Sequence, residues 1–480
     1  MLGHQPESAS LSPEFMITLR PYQAIGVAQI REAYGPGRKR APLYVLPTGG
    51  GKTQIFCHIA HGASTKGNRV LILSHRVELI DQISDSLKSW DTPHGFIAAG
   101  YSTAQLPCMI ASIPTLLRRL DATLEPDIII VDEAHHARAK TWESILLRWP
   151  KAKILGVTAT PITASGASLG KIFDCLILGP TPAQLIAGNY LASPIVFGPE
   201  TVDTSGLHIR AGEFVTSESE ELVNTPAITG SALDMYRSKT DGLPALAFCV
   251  SVQHAHDVAK QFRDAGYPAM ALDGGTDREI RRGVVRDFRE RKITLLASCD
   301  LFSEGFDCPG VHVGLMLRPT QSEVIYRQQC GRILRPEPGK ERAWLFDHVR
   351  NWERFGLPHW DRVESWVLDG EDRPKKKKAT SVKVCPQCWA AMKSEARKCP
   401  ECGHAFAPKP REVEQREGKL QEITPEEAAR RQEKRALGFE QSQATTPEKL
   451  AEVFRKRGYK GDLLGRARHV LAARAAKKTA

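Results

Sequence analysis

Leu43-Tyr44-Val45-Leu46-Pro47-Thr48-Gly49-Gly50-Gly51-Lys52-Thr53 reads as a buried strand, a glycine-rich turn and the first residues of a helix. Glycines at 49, 50 and 51 let backbone N–H groups close around phosphate oxygens, and the helix N-terminus adds its positive dipole end. Pro47 to Lys52 therefore form a candidate nucleotide cradle, with Lys52 on the β/γ-phosphates and the Thr53 hydroxyl on Mg²⁺. Downstream, Asp127-Ile-Ile-Ile-Val131 is an apolar run suited to a strand buried on both faces. It ends in Asp132-Glu133-Ala134-His135, which delivers Asp132 towards the metal and Glu133 towards an attacking water. Together the two stretches predict that ATP is bound and hydrolysed.

The 480 residues are too many for one ordinary core and predict two or three domains. No apolar run approaches the ~18 residues of a membrane span. The N-terminus lacks a charged-then-apolar signal pattern, so a cytoplasmic protein with no membrane partner is expected. Residues 1–15 carry no pattern and read as a leader or tag-like segment before Met16. Charge is unevenly placed. Residues 371–480 hold 27 Lys+Arg against 15 Asp+Glu, a net of +12, while residues 1–370 hold 39 against 40. The whole excess sits in the last quarter, which points to a polyanion-binding region beside a near-neutral body.

Apolar strands alternate with amphipathic helices twice. Strand candidates at 42–46, 69–73, 127–131 and 153–157 come first, then 245–250, 268–272, 293–298 and 311–317, with a basic helix over 278–291. Strands separated by helices imply parallel βαβ units and two doubly wound α/β lobes. This sets lobes at 16–199 and 233–360, a polar connector at 200–232, a basic linker at 361–384 and a basic helical tail at 405–480. In the tail, Thr424-Pro-Glu-Glu427 and the Thr445/Glu448 pair read as capping boxes, with Gly438 and Gly458 as stops.

The second lobe closes with Gln328-Gln-Cys-Gly-Arg332-Ile-Leu-Arg335. Arg332 and Arg335 share one helical face and could reach a γ-phosphate as arginine fingers if the lobes close. Upstream, Ser298-Cys-Asp-Leu-Phe-Ser-Glu-Gly305-Phe-Asp307 follows a buried strand, and its turn and carboxylate could contact ribose and backbone.

These pieces together resemble a superfamily-two helicase over about residues 17–350. Position 46, where a strict P-loop has Gly, is Leu, and Pro47-Thr-Gly-x-Gly-Lys-Thr53 matches the loop variant of that superfamily. The resemblance implies two RecA-like lobes and places Arg20 and Gln23 of Leu19-Arg-Pro-Tyr-Gln23 on adenine. It implies coupling through Thr158, Thr160 and Gln328. Arg76 of Ser74-His-Arg-Val-Glu-Leu79, Ser112 and Thr115 of Ala111-Ser-Ile-Pro-Thr115, and Ser298 would contact the nucleic-acid strand. Within the superfamily the motif variants are similar to RadD-like bacterial DNA-repair helicases, which implies DNA as partner and a role in repair or recombination. DEAD-box RNA helicases fit less well, having Asp where His135 stands. RNA as substrate and a nucleotide-gated clamp that does not unwind are the alternatives.

Cys385-Pro-Gln-Cys388 and Cys399-Pro-Glu-Cys402 stand apart from the scattered cysteines, which suit buried thiols. Two Cys-x-x-Cys turns ten residues apart predict a Cys₄ zinc ribbon over 385–404. So short a segment would owe its folding to the Zn²⁺. The adjacent His404 is expected on the surface.

Overall fold

The computed structural model describes residues 18–35, 41–75, 77–102, 104–137, 140–161, 169–198, 202–210, 212–299, 310–360, 368, 382–406, 437, 440–441, 444–459 and 461–479. It divides into a unit of residues 1–407 and a unit of residues 408–480.

The larger unit contains two parallel sheets. The first is built from β1 (Pro42–Val45), β2 (Val70–Ser74), β3 (His94–Ile97), β4 (Cys108–Ser112), β5 (Ile128–Val131), β6 (Lys153–Thr158) and β7 (Cys175–Leu178), in the order β3-β4-β2-β5-β6-β1-β7. Alternate side chains leave opposite faces of each strand. Leu43, Val45, Ile129 and Val131 enter the core on one side, and Tyr44, Leu46, Ile130 and Val157 enter the core on the other. Each such buried aliphatic contributes about 1.5–3 kcal/mol, which is why the runs need no polar alternation. The helices Lys52–Ser64 and Val77–Ser89 cover the second of these faces.

The second sheet starts earlier in the chain than its sequence suggests. β8 (Ser193–Phe197) lies inside the stretch read as the first lobe, yet it pairs with Arg342–Phe346. After a short hairpin, β9 (Ile209–Arg210) and β10 (Glu213–Phe214), come β11 (Ala245–Phe248), β12 (Ala269–Leu272), β13 (Leu295–Ser298), β14 (Val313–Met316) and β15 (Arg342–Asp347). The order is β12-β13-β11-β14-β15-β8, all parallel. The passage between the sheets thus falls before Ser193, not at residue 200. Residues 200–232 are also more than a connector. Val202, Val223, Ile228 and Ala232 belong to the second lobe's own core, because helices Thr216–Val223 and Pro226–Thr240 pack on its sheet.

The cysteine-rich segment forms a hairpin of β16 (Val382–Val384) and β17 (Ala391–Lys393). It docks on the free edge of β8 through an antiparallel bridge between Phe197 and Ala390, and Gly198 N–H donates to Trp389 O at 3.0 Å. Cys385, Ala390, Met392 and Cys399 are part of the same core as Phe197 and Phe346. The ribbon is therefore a piece of the second lobe, not a separate appendage.

In the unit of residues 408–480, helices Pro447–Lys456 and Leu463–Thr479 meet through Leu450, Phe454 and Ala467. Thr446, not Thr445, caps the first of them, its hydroxyl accepting from Lys449 N–H, because Pro447 occupies the first helical turn. Gly458 follows the helix end at φ +81°. The capping box at 424–427 and Gly438 lie outside the described residues. Among the described residues no helix is long and apolar enough to cross a membrane.

Candidate active site

The glycine-rich turn leaves β1 with Leu46 N–H still bonded to Thr158 O of β6. Gly50 N–H closes back on Pro47 O at 2.9 Å, while Gly49 and Gly51 take φ of +87° and +82°, values a side chain would strain. Helix Lys52–Ser64 then starts, so the turn sits at a helix N-terminus as the sequence predicts. The Gly50 carbonyl accepts two hydrogen bonds from helix Pro21–Ala33, from Tyr22 Oη at 2.7 Å and Gln23 Nε2 at 3.2 Å. Gln23 Oε1 accepts from Arg20 N–H at 2.9 Å, so one end of this amide braces the turn and the other closes the start of its own helix. Arg20 Nη1 reaches Tyr22 Oη at 3.2 Å, and its guanidinium lies over the ring of Tyr190, which meets Tyr22 edge-on at 4.7 Å. Sequence reasoning missed Tyr22 and Tyr190. The first stands inside a quoted motif between its two singled-out residues; the second carries no local signal.

At the end of β5, Asp132 Oδ1 accepts from Glu133 N–H at 2.9 Å, which holds Glu133 in a left-handed conformation at φ +47°. Glu133 Oε1 lies 3.7 Å from Lys52 Nζ, with both side chains largely buried. The proposed phosphate ligand and the proposed hydrolytic carboxylate are thus neighbours, and an arriving phosphate would compete for the lysine. On its other side Glu133 Oε2 is 3.4 Å from His135 Nδ1, and that nitrogen is 3.2 Å from Thr158 Oγ1. Thr158 Oγ1 donates to Thr160 O at 2.8 Å, so the carboxylate, His135 and the Thr158–Thr160 turn form one buried chain of contacts. Thr53 in the first helical turn and the buried Asp132 offer hard oxygen donors, a set that suits Mg²⁺.

The second lobe reaches this turn with helix Glu323–Ile333. A methyl group placed on Gly331 would stand 2.3 Å from Thr48 Cβ, so only glycine lets the helix backbone come so close. Gln328 and Arg332 are buried on this helix. Arg335 does not share a helical face with Arg332 as expected, because the helix ends at Ile333 and Leu334 caps it. The stem of Arg335 nevertheless lies beside Gly49, and burial of its guanidinium, with Arg289 nearby, lowers its pKa to about 10. A charge that costly to desolvate favours an approaching anion. The crevice between the lobes is lined by Pro47, Thr48 and Ala159 on one side and Leu191, Arg327 and Cys330 on the other.

The expected strand-contact residues are placed less favourably. Ser112 is buried and donates to Thr115 Oγ1 at 2.9 Å. Ser298 is only 1% exposed, its hydroxyl turned to Cys299 O, so it is not on a surface that a strand could touch. Arg76, Gly305 and Asp307 lie outside the described residues.

The four ribbon thiols have their sulfur atoms within 4.8 Å of one another, with Cys385–Cys402 at 3.6 Å and Cys388–Cys399 at 3.5 Å. A tetrahedral ion with bonds of ~2.3 Å needs sulfurs about 3.8 Å apart, so this donor set fits one. The two knuckles differ after their second cysteine. Both need a left-handed residue there, and Gly403 at φ +74° answers Trp389 at φ +64°. His404 is half-buried rather than exposed, its ring against Phe406 and its carbonyl accepting from Cys399 N–H.

Comparison with known proteins agrees with this geometry. The family described as "Type III restriction enzyme, res subunit" matches residues 16–163, and "Helicase conserved C-terminal domain" matches residues 229–337. A 51.5 kDa protein of a Lactococcus phage is 33% identical over 364 residues, 75% of this chain and 77% of that one. The DNA 3'-5' translocase XPB2 of Sulfurisphaera tokodaii is 23% identical over 66% of this chain and 79% of its own length. A structure of a fragment assigned to the HsdR subunit of a Vibrio vulnificus type I restriction enzyme superposes with a TM-score of 0.58 at 19% identity, covering 72% of this chain and 67% of that one. Against two yeast relatives, each 28% identical, the chain spans 51% and 59% of their lengths. With the phosphate turn, the carboxylate pair and the glycine-mediated approach of the second lobe in this order, the chain belongs to the superfamily-two helicases.

Proposed function

We propose that the chain hydrolyses ATP between its two lobes to move along DNA, as a helicase or translocase. The supporting observation is the meeting of two separately encoded parts: the Lys52–Glu133 pair of the first lobe and the helix carrying Arg332, whose Gly331 lies against Thr48, with Arg335 just beyond the helix end. Lys52 and the backbone N–H groups of residues 49–51 hold the phosphates, and Arg20, with Tyr22 and Tyr190, receives the base. Glu133 orients water and takes its proton, while His135 and Thr158 hold that carboxylate in line. Arg332 and Arg335 bring positive charge to the γ-phosphate when the lobes close, a contribution worth ~10³–10⁵ in rate. Thr53 and Asp132 would hold Mg²⁺, which supplies charge neutralisation at the phosphates.

Cys385, Cys388, Cys399 and Cys402 would hold one Zn²⁺, which ties the ribbon to β8 and makes a structural contribution. DNA is favoured over RNA by His135, where the DEAD-box RNA helicases have Asp, and by a relative described as a DNA translocase. The test is ATP turnover with single-stranded DNA, duplex DNA, forks and RNA side by side. Stimulation by DNA well above that by RNA is expected; stimulation by RNA alone would overturn the assignment.

A further inference from the structure

Three imidazoles stand in a column beside the hydrolytic carboxylate. His135 touches Glu133 and Thr158 as described, and its ring lies 4.2 Å, centroid to centroid, from that of His136. His136 in turn lies 4.4 Å from His75, tilted by 40°. The backbone explains the juxtaposition. β2 and β5 are neighbours with Leu73 opposite Val131, and Asp132 N–H donates to Leu73 O, so the two strands end side by side. His75 leaves the end of β2, and the 3-10 turn Ala134–His136 leaves the end of β5 and presents its two consecutive histidines with their rings in contact, tilted by 41°. One end of the column touches the carboxylate that changes partner when phosphate arrives. The other end heads the Ser74–Leu79 segment expected at the nucleic-acid strand.

We propose that His136 is a positioning residue that transmits the state of Glu133 to the strand-contacting segment at His75, and so makes hydrolysis responsive to DNA. The proposal rests on the DNA-motor reading above and on placing residues 74–79 at the DNA. Rings in van der Waals contact pass a displacement on, because a packed interior shifts between discrete arrangements and does not compress. The hydrolytic and phosphate-binding roles assigned above fall on other residues, so loss of the His136 ring should spare the chemistry and remove the link.

The experiment uses the full chain, with ATP turnover measured without DNA and with saturating single-stranded oligonucleotide, alongside DNA affinity and a thermal melt. In His136→Ala the basal rate and DNA affinity should stay within about twofold of wild type while DNA stimulation falls by about tenfold, the size of a typical coupling between sites. His136→Phe restores a flat ring and should recover most of the stimulation. Unchanged stimulation in His136→Ala overturns the proposal. Equal losses of basal and stimulated rate, or equal loss of stimulation in the Ala and Phe variants, overturn it as well, since either marks a general structural role. If wild-type turnover itself ignores every DNA, the motor reading fails and takes this proposal with it. That outcome is distinct from a responsive wild type with an equally responsive variant.

Discussion

The two lobes make unequal contributions to the interlobe site. In the first, the parts are bonded to one another already: the Gly50 carbonyl to Tyr22 and Gln23, Lys52 to Glu133, and Glu133 through His135 to Thr158. In the second, helix Glu323–Ile333 contributes together with Arg335 and Leu191 outside it, and the approach depends on a glycine contact at Thr48. The first lobe is a preorganised half-site that should hold nucleotide by itself. The second is a conditional half whose value depends on closure. Defects in the first should therefore act on binding or on the chemical step directly, whereas defects in the second should spare affinity and lower turnover.

The largest effect separates the halves most sharply. Lys52→Ala should abolish nucleotide binding, while Arg332→Ala and Arg335→Ala should cut turnover by ~10³–10⁵ with affinity nearly unchanged. Nucleotide titration beside steady-state turnover reads both; a parallel loss of affinity in the arginine variants would erase the distinction. Glu133→Gln should keep binding and lose about 10²–10⁴ in rate, the range of a general base. Turnover within a few-fold of wild type would remove Glu133 from the chemistry. Next comes Gly331→Ala, whose added methyl would collide with Thr48 and hold the lobes apart. A misplacement of about 1 Å can cost ~10² in rate, so a loss of that order with normal affinity is expected.

Cys388→Ser should release the one zinc expected per chain and lower the stability of the second lobe specifically, because Cys385 and Cys399 sit in its core. Metal analysis and a melt monitored with and without nucleotide would show this; a zinc-free wild type would overturn it. The smallest effect concerns neither lobe. A chain ending at residue 407 keeps the ribbon and should retain turnover at saturating DNA, yet bind DNA with a flatter salt dependence. On single strands each lost phosphate contact should reduce that slope by about 0.7. An unchanged slope would place the terminal helices at a protein partner instead.

What was legible in the sequence follows from how locally each feature is encoded. The phosphate turn, the Asp132–Glu133 strand end and the paired cysteine turns each need only adjacent residues, and they stand where the motifs predict. β8 was missed because its strand character is local while its choice of sheet is not: nothing in Ser193–Phe197 announces Arg342–Phe346 as partner. The same holds for Tyr190, which meets Tyr22 only after the chain has crossed between lobes. The ribbon is legible in the sequence as a set of four thiols at metal-ligand spacing, but not as the cover of an edge strand. Its docking depends on Phe197 and Ala390, far apart in the chain and unremarkable in composition. Ser298 shows the opposite error, a motif position whose hydroxyl the fold turns inward.

The pairing of β8 also has a consequence for synthesis. Ser193 pairs with Arg342, 149 positions later in the chain. At ~5–20 residues per second, the nascent strand must wait about 7–30 s for its partner, and longer for the ribbon that caps its other edge. During that interval Pro194-Ile195-Val196-Phe197 is an unpaired apolar strand, the kind of segment that recruits neighbouring chains. Pro194 has no N–H to offer an intruding strand, so the exposed template is interrupted near its start. In the finished chain the same residue sits opposite Ala343, tolerated because β8 forms the last strand of the sheet.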